Sequence, residues 1–410
     1  MNNLLITDVE YYGDKVNLLV DSKGFCVFNG RVTNSVELIN GNGLTALPGF
    51  VDIHVHFREP GLTEKEDILT GARAAAAGGY TLVTPEPNTR PVIDNIVDFN
   101  EIQNKMNSLP VSIMQKAAVT LGQHGTDLTD LLGLYNCGAP AFSDDGEPIV
   151  NENILVDAFK VLASLPNCPV ITAHCEETPR SSQKVNISLG NGIEMMREPE
   201  IVACNISALR KAGCGRLHIQ HVSLANTVDL ISAAKAEGLK ITAEVTPHHL
   251  LLSVEDIIEG DANWKMNPPL RSKADMLAMR DALAKGIIDI VATDHAPHTA
   301  TDKNVGWEQA PFGITGLETA FSLIYQLVVE GVIPFNSLAE LLSIKPEKIL
   351  FNNEKINTGI TLIDLNKKWT VDKFYSKSAN SPFIGRQMTG KVIYTINKGK
   401  LLTADGAVIF

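Results

Sequence analysis

The stretch GFVDIHVH, residues 49–56, is an apolar run of the kind that forms a buried β-strand. It is followed by DILTGARAAAAGG (67–79), which has the composition of a helix that ends at glycine. A second apolar run, YTLVTPEPN (80–88), comes next. A strand, a helix and another strand in this order predict a unit with parallel strands.

The same alternation continues along the centre of the chain. Six further strand-like runs each end in polar residues: Val111–Val119, Ala139–Asp145, Pro169–Glu177, Arg216–Ser223, Lys240–His249 and Ile287–His298. Helical candidates such as 152–165 and 225–238 lie between them. Eight strand–helix units predict an α/β protein with a (β/α)8 TIM-like barrel over residues 49–352. The early strands carry no G-x-G-x-x-G, which argues against a dinucleotide-binding sheet.

Both ends of the chain have a different pattern. Residues 1–48 and 353–410 hold short β-like runs punctuated by Gly, Asn and Asp, among them TGITLIDL (358–365) and KWTVDK (368–373). We expect the two ends to pair into one small β-sandwich domain beside the barrel.

The charge balance excludes several classes of partner. The chain has 35 Lys and Arg against 47 Asp and Glu, a net charge of −12. An acidic chain without a basic run is a poor candidate for binding nucleic acid or an anionic membrane surface. The first residues lack a basic region followed by an apolar stretch, so we expect no secretory signal and a cytoplasmic location.

The strongest chemical signal is DIHVHFREPG, residues 52–61. Side chains two apart on a strand share a face, so His54 and His56 should project together at the mouth of the barrel, where barrel active sites lie. Two adjacent imidazoles form a ready metal chelate. The alternative is a pair of hydrogen-bonded core histidines, and this motif alone does not decide between them.

Other strand-like runs end in the same kinds of residue. These ends offer Asp144 and Asp145, His174, His221 and Asp294. A single zinc needs only three or four ligands, so this set predicts two zinc ions that share a carboxylate. A water between two such ions becomes hydroxide near neutral pH. The positive charge of two divalent ions exceeds the negative charge of two carboxylates and a hydroxide. The resulting net positive charge favours an anionic substrate.

Further residues at the strand ends suit a polar substrate. Asp294 could accept the proton of the hydroxide and pass it to a leaving nitrogen. Arg58 suits a bidentate contact with a carboxylate, although a salt bridge at the rim is the alternative. Three residues would complete a polar pocket or else form turns: Asn88, Asn267 and His298. Four histidines are left over as supporting or structural residues: His218, His248, His249 and His295.

Together these segments resemble the dihydroorotases of the amidohydrolase superfamily, in their bacterial type I form. The matching segments are DIHVHFREPG, PNTRP, FSDDG, AHCE, HVS, AEVTPHHLLL, KMNPPLR, ATDHAPH and APFGITG. The resemblance implies a metal-dependent hydrolase barrel and the reversible cyclisation of N-carbamoyl-L-aspartate to (S)-dihydroorotate in pyrimidine synthesis. The implied metal ligands are His54, His56, Asp145, His174, His221 and Asp294. The implied substrate contacts are Arg58, Asn88, Asn267, His298 and the Phe312-Gly313 pair.

Two points bear on this resemblance. Many amidohydrolases bridge their metals with a carboxylated lysine at the end of strand four, but GAPAFSDDG (138–146) has no lysine. The resemblance therefore gives the bridging role to Asp145, as in type I dihydroorotases. The segment Arg180–Asn205, which includes Arg197-Glu-Pro-Glu200, looks less like the family, and we assign no specificity to it.

Two other functions remain open. A hydantoinase, dihydropyrimidinase or allantoinase would use the same barrel and the same hydrolysis of a cyclic amide. Arg58 with Asn88, together with the missing lysine, favours a dihydroorotase. A non-catalytic homologue that serves aspartate carbamoyltransferase should have lost metal ligands, whereas all six positions are filled here. We expect a homodimer that acts on an anionic small molecule, with association with aspartate carbamoyltransferase as an additional role.

Overall fold

The protein is described by a computed structural model that covers residues 3–30, 36–176, 198–352, 354–357 and 359–410. The divergent segment of residues 180–205 lies mostly outside these ranges, and Arg197 lies outside them as well. The part of it that is described belongs to a helix that begins at Glu198.

Strands occupy both ends of the chain and its centre. The N-terminal strands are β1 (Asn3–Tyr11), β2 (Asp14–Asp21), β3 (Gly24–Val27), β4 (Val36–Asn40) and β5 (Thr45–Pro48). The central strands are β6 (Phe50–Val55), β7 (Tyr80–Pro85), β8 (Ser112–Ile113), β9 (Ala141–Ser143), β10 (Val170–Ala173), β11 (Leu217–Ile219), β12 (Ile241–Val245) and β13 (Ile290–Val291). The C-terminal strands are β14 (Ile360–Thr370), β15 (Gln387–Asn397), β16 (Lys400–Ala404) and β17 (Ala407–Val408).

Helices alternate with the central strands. They are α1 (Ile68–Ala77), α2 (Ile96–Met106), α3 (Leu131–Asn136), α4 (Glu152–Ala163), α5 (Glu198–Ala212), α6 (Ala225–Ala236), α7 (Pro247–Leu251), α8 (Lys273–Ala284), α9 (Ala300–Lys303), α10 (Ala320–Val329), α11 (Ser337–Ala339) and α12 (Lys345–Phe351). Side-chain caps fix where several begin: Asp67 accepts a hydrogen bond from the main chain of Thr70, and Ser272 from that of Asp275. Within the described ranges, none of the helices has the length and apolar character that crossing a bilayer requires.

The central strands form two parallel sheets. β6, β7 and β8 pair in this order, and β9 to β13 also pair in chain order. Isolated parallel bridges lie between the two sheets: Ala117 pairs with Phe142, and Val55 with His295. Each of the eight predicted strand-like runs contains one of these strands. The prediction of an α/β fold with parallel strands is therefore confirmed.

The central strands are buried on both faces. Every residue of β6 and of β7 is buried, as expected for parallel strands with helices outside them. One apolar cluster joins residues of β6, β7, β9, β10 and β13 with the end of α12: Val51, Ile53, Leu82, Ala141, Val170, Ile290, Ile349, Leu350 and Phe351. Strands of both parallel sheets therefore contribute to one apolar interior.

Strands from the two ends of the chain form one nine-stranded sheet. Its order is β17-β16-β15-β14-β5-β1-β2-β3, with β4 beside β1. β14 runs antiparallel to β5 and so joins the C-terminal strands to the N-terminal ones, as the sequence predicted. Thr395 and Thr403 both donate a hydrogen bond to the carbonyl of Ala76 in α1, which fastens the sheet to the central part.

One strand is longer than its sequence pattern indicates. The runs 358–365 and 368–373, which look separate in the sequence, both contribute to β14. The register of β14 against β15 shifts between Asp364 and Lys368. There the carboxylate of Asp364 accepts hydrogen bonds from the N–H groups of Asn366 and Lys367. This irregularity breaks the alternation that would have revealed one continuous strand.

Candidate active site

The residues predicted to bind metal lie where the parallel strands end. His54 belongs to β6, and the others follow their strands: His56 after β6, Asp145 after β9, His174 after β10, His221 after β11 and Asp294 after β13. All six side chains are buried. The carboxyl ends of parallel strands face the same way, which is why residues so distant in the sequence meet.

His54, His56, Asp145 and Asp294 form one cluster. His54 Nε2 lies 3.4 Å from Asp145 Oδ1 and 3.6 Å from Asp294 Oδ1. His56 Nε2 lies 3.5 Å from Asp145 Oδ2 and 3.0 Å from Asp294 Oδ1. The two histidines of the H-x-H motif thus present their Nε2 atoms to the same two carboxylates.

His174 and His221 meet at one of those carboxylates. His174 Nδ1 lies 3.2 Å from Asp145 Oδ1 and 2.8 Å from His221 Nε2. Among the described residues, two groups of donor atoms lie within 4.8 Å of one another and could hold a metal ion: His54 with His56 and Asp294, and His54 with Asp145 and His221. The structure therefore brings all six predicted ligands together around Asp145.

The two adjacent aspartates after β9 have different environments. The carboxylate of Asp144 accepts hydrogen bonds from the N–H groups of Val119 (2.7 Å) and Thr120 (3.1 Å), and so holds the loop that follows β8. The carboxylate of Asp145 lies among the histidines instead, and its Oδ1 makes no hydrogen bond to any described residue. Sequence spacing alone left this choice open.

A buried carboxylate behind His54 fixes the orientation of its ring. Glu244 of β12 places Oε1 2.5 Å from His54 Nδ1 and Oε2 3.0 Å from His218 Nε2. An ionised carboxylate only accepts hydrogen bonds, so His54 Nδ1 carries a hydrogen and Nε2 is the atom that can face a metal. That Nε2 is buried and has no hydrogen-bond partner in the described part of the chain.

Asn88 has a similar position behind His56. Its Oδ1 lies 3.1 Å from His56 Nδ1, and its Nδ2 donates to Asp145 Oδ2 at 3.0 Å and to the Asp145 carbonyl at 3.2 Å. The residue was predicted as a substrate contact. In the structure its amide contacts two of the predicted metal ligands, and its role as a substrate contact stays a prediction.

Opposite charges outweigh the effect of burial in this cluster. Burial opposes ionisation, yet the adjacent His174 and His54 hold the pKa of Asp145 well below its usual range. For Asp294, burial is likewise outweighed by the charge of His54, which lowers the pKa to about 2. Against the effect of burial, Glu244 and Asp294 raise the pKa of His54 well above its usual value. Asp145 and Asp294 are therefore ionised carboxylates among the imidazoles.

Two of the predicted ligands have an unusual backbone. His221 has a φ of 35° and Asp294 a φ of 48°, both in the left-handed region that favours glycine. Such conformations cost about 1–3 kcal/mol and cluster at functional sites. Each residue follows its strand, so the left-handed turn redirects the chain at the point where the side chain joins the cluster.

Two predicted substrate contacts, Arg58 and Asn267, have polar atoms that could bind a substrate. Arg58 donates from Nε to the Pro297 carbonyl at 3.3 Å, which orients its guanidinium. Burial lowers the pKa of Arg58 to about 10, so the side chain stays charged at neutral pH. The Oδ1 atom of Asn267 is buried and accepts no hydrogen bond from the described residues. It is an acceptor that a substrate N–H could satisfy.

The remaining predicted contacts lie in two loops that touch. His298 Nε2 is 2.7 Å from the Phe312 carbonyl, so it donates, and His298 Nδ1 accepts from Lys65 Nζ at 3.3 Å. Both ring nitrogens of His298 are thus engaged within the protein. Gly313 has a φ of 129°, and a Cβ there would lie 2.7 Å from the Ala296 Cβ. Only glycine allows this close approach.

Three of the four leftover histidines have hydrogen-bond partners within the protein, whereas Nε2 of the fourth, His248, is buried without one among the described residues. His218 contacts Glu244, as described above, and His249 Nε2 lies 3.1 Å from the Pro268 carbonyl. His295 accepts at Nδ1 from the Gly316 N–H, and its Nε2 lies 3.2 Å from Glu66 Oε2. These contacts fit the supporting and structural roles expected from the sequence.

Three buried charged residues within or shortly after the central strands were not predicted from the sequence. Glu244 lies in the run ITAEV, and Glu86 and Lys116 lie in similar apolar runs. The signal was present, because a charge in a buried strand occurs only when it is paired. Glu244 contacts His54 and His218, while Glu86 forms a buried ion pair with Lys116.

Comparisons with known proteins show which family the chain resembles. A family model described as Dihydro-orotase-like matches residues 43–223. The dihydroorotase of Bacillus subtilis (strain 168) is 42% identical, with 92% of this chain and 91% of the relative covered. The dihydroorotase of Bacillus cereus (strain AH187) is 40% identical, with 97% and 98% covered.

Solved structures share the fold. An L-hydantoinase (dihydropyrimidinase) from Arthrobacter aurescens has a TM-score of 0.86 at 23% identity, with 100% of this chain and 98% of that chain covered. A dihydropyrimidinase from Brevibacillus agri NCHU1002 has a TM-score of 0.82 at 20% identity, with 99% and 96% covered. At such identities the likeness concerns the fold alone, whereas the Bacillus relatives are similar along nearly the whole sequence. The resemblance seen in the sequence is thereby confirmed, and the chain belongs to the dihydroorotase family of cyclic amidohydrolases.

Proposed function

We propose that this protein catalyses the reversible cyclisation of N-carbamoyl-L-aspartate to (S)-dihydroorotate, the third step of pyrimidine synthesis. The observation that carries the proposal is the convergence of four imidazoles and two carboxylates at the ends of the parallel strands. Family membership adds the substrate class, since the Bacillus relatives are named for this activity.

The donor set fits two divalent cations, and we propose zinc. His54, His56 and Asp294 would hold one ion, His174 and His221 the other, and Asp145 would be shared. Two buried atoms support this fit, because His54 Nε2 and Asp145 Oδ1 make no hydrogen bond to the residues that the structure describes. Zinc bound there would polarise a carbonyl oxygen and acidify a water molecule, so that the water can act as a nucleophile near neutral pH.

Asp294 is the proposed proton carrier. Its Oδ1 lies 3.0 Å from His56 Nε2, and its low pKa keeps the carboxylate ionised and able to accept a proton. In the hydrolytic direction it would take the proton of the attacking water and give it to the ring nitrogen that leaves. In the cyclising direction the same carboxylate would take the proton from the carbamoyl nitrogen.

Positive side chains next to the cluster favour an anionic substrate. Arg58 stays charged at neutral pH. Lys65 Nζ lies 3.3 Å from His298 Nδ1. Lys265 has its Nζ 4.6 Å from the centre of the Phe312 ring. We propose that Arg58 binds the ring carboxylate of dihydroorotate and that Asn267 accepts a hydrogen bond from a ring N–H.

The substrate preference tests this function. Removal of the ring carboxylate would leave Arg58 without a partner, at a cost of about 2–5 kcal/mol. That cost corresponds to a preference of roughly 30- to 3,000-fold in kcat/KM for dihydroorotate over dihydrouracil. The measurement is a steady-state assay of the purified protein with dihydroorotate, dihydrouracil and hydantoin, alongside elemental analysis for zinc. Two zinc ions per chain are expected.

A matched pair of arginine variants sharpens the assay. Arg58→Lys should shrink the preference for dihydroorotate, because a lysine cannot reproduce the forked contact. Arg280→Lys is the control, since Arg280 also donates from Nε to a carbonyl, that of Leu250, but otherwise contacts Glu330. An unchanged preference in Arg58→Lys would remove this arginine from the carboxylate pocket.

The alternatives give different outcomes in the same assay. A wild-type protein that hydrolyses hydantoin or dihydrouracil as well as dihydroorotate would be a hydantoinase-type enzyme. A protein that binds zinc but hydrolyses none of the three would favour the non-catalytic partner of aspartate carbamoyltransferase. The filled donor set and the charged Arg58 both support the dihydroorotase.

We extend the proposal to the architecture and the assembly. The two isolated bridges and the shared apolar cluster support closure of the parallel sheets into a (β/α)8 barrel over residues 49–352. The cluster formed by β1, β2, β4, β5, β14 and β15 supports a small sandwich built from residues 1–48 and 353–410. The family resemblance adds a cytoplasmic homodimer, with association with aspartate carbamoyltransferase. Light scattering with and without that enzyme tests both contacts.

A further inference from the structure

The segment between β14 and β15 reaches the candidate active site from the C-terminal sheet. Asn380 lies in this segment and has only 4% of its surface exposed. Its side chain accepts a hydrogen bond at Oδ1 from the His298 N–H, at 2.9 Å. Its Nδ2 donates to the carbonyls of Ala296 (3.1 Å) and Gly313 (3.0 Å). All three bonds are to main-chain groups of the two loops that border the site.

These two loops carry most of the proposed chemistry at this edge of the site. One of them follows β13 and contains Asp294 and His298. The other contains Phe312 and Gly313, and the Asn380 carbonyl accepts a further hydrogen bond from the Thr315 N–H that follows, at 2.8 Å. Asn380 therefore bridges both loops with its side chain and its main chain.

The segment around Asn380 is itself held firmly. Ser376 Oγ and the Lys377 N–H both donate to the carboxylate of Glu66. The same carboxylate lies 3.2 Å from His295 Nε2, directly beside Asp294. Ser378 Oγ donates to the Lys65 carbonyl at 2.7 Å. The position of Asn380 is thus fixed by contacts outside the two loops that it joins.

We infer that Asn380 is a positioning residue for substrate binding, which sets the distance between the loop of Asp294 and His298 and the turn of Phe312 and Gly313. This inference rests on the proposed function, because it takes these loops as the border of the substrate pocket. Asn380 touches neither the predicted metal ligands nor the expected site of bond cleavage, so its removal should weaken binding more than turnover.

The second buried asparagine of the C-terminal region provides a matched control. Asn397 of β15 is 2% exposed, and its Nδ2 donates to the Thr81 and Pro110 carbonyls and to Ser112 Oγ. Like Asn380, it ties the C-terminal region to the central part with several hydrogen bonds. Its partners lie around β7 and β8, remote in the chain from the two loops.

The experiment compares Asn380→Ala with Asn397→Ala as zinc-loaded full-length proteins. Loss of binding that is equal in the ground and transition states raises KM with kcat little changed. For Asn380→Ala we expect KM for dihydroorotate to rise about tenfold, kcat to stay within about threefold, and zinc content to stay unchanged. Both variants should lower the thermal midpoint of unfolding by a similar amount, because each loses several buried hydrogen bonds. Asn397→Ala should leave KM within about twofold of wild type.

An equal KM in the two alanine variants would overturn the inference and leave Asn380 as a structural residue. If Asn380→Ala does not fold, Asn380→Asp replaces it, because aspartate still accepts from the His298 N–H but cannot donate to the two carbonyls. A raised KM in Asn380→Asp supports the inference, and an unchanged KM overturns it. If wild type prefers dihydrouracil, the proposed function fails; the KM comparison then uses dihydrouracil and still decides the role of Asn380.

Discussion

The ends of the parallel strands and the terminal sheet bury polar side chains in opposite ways. In the terminal sheet these side chains are neutral and bonded to carbonyls: Thr361 donates to Gly79, and Thr395 and Thr403 to Ala76. Among the central strands they are charged, as in the contacts of Glu244 with His54 and His218. All buried polar atoms that lack a partner among the described residues also belong to the central part: atoms of His54, Thr84, Glu86, Gln115, Asp145, Gln220, Thr227, His248 and Asn267.

This difference separates stability from function. A neutral donor that is fully bonded fastens two elements together at little electrostatic cost. A buried charge or an unsatisfied atom is costly, and natural proteins retain such features mainly where function requires them. We therefore expect substitutions at the strand ends to change metal content and catalysis, and substitutions in the terminal sheet to change stability alone.

The largest expected effect is that of Asp145→Ala. Loss of the shared carboxylate should remove zinc and activity together, and bicarbonate should restore neither, because no lysine is involved. Elemental analysis and the dihydroorotase assay measure both effects. Asp144→Ala is the control, since Asp144 only holds the Val119–Thr120 loop, and it should keep its zinc. Retention of both metals in Asp145→Ala would refute the bridging role.

The second-largest effect is expected for Asp294→Asn. The amide preserves volume and can still contact a metal, but it cannot accept a proton. General acid–base catalysis contributes about 10²–10⁴-fold, so kcat should fall by at least that range. The rate is compared at equal zinc content. A loss below about tenfold at full occupancy would leave Asp294 as a ligand without a role in proton transfer.

Glu244→Gln tests the residue behind His54. A group that orients a metal-binding histidine typically contributes about 10–100-fold to metal affinity or activity, so chelator competition should show weaker zinc binding by this factor. The control is the double variant Glu86→Gln/Lys116→Met, which removes a buried ion pair that lies after β7 and β8. Equal zinc loss in both proteins would mean that loss of any buried charge weakens zinc binding. That result would contradict a specific role for the contact between Glu244 and His54.

The smallest effect is expected for Thr395→Val in the terminal sheet. The change removes one donor to the Ala76 carbonyl, which keeps its bond from Thr403. The free energy of unfolding should fall by about 1 kcal/mol, with kcat and zinc content unchanged. Urea denaturation and the standard assay measure the two quantities. A large loss of activity would contradict the separation of stability from function.

Much of the site could be predicted from the sequence because its signals are local. The H-x-H spacing puts His54 and His56 on one face of a strand, and each other donor directly follows an apolar run. The contacts of Asn88 and Glu244 could not be predicted in this way. The amide of Asn88 contacts both His56, 32 positions before it, and Asp145, 57 positions after it.

The amino-acid sequence by itself determined the order of strands and helices, the pairing of the two ends of the chain and the identity of the donors. These features depend on hydrophobic periodicity and on residue type, both of which act over a few positions. Only the tertiary structure decided that Asp145 and not Asp144 faces the histidines, and that Asn380 bridges to His298, 82 positions away. Such contacts depend on how the strands and loops pack against one another, and the spacing of residues along the chain does not encode that packing.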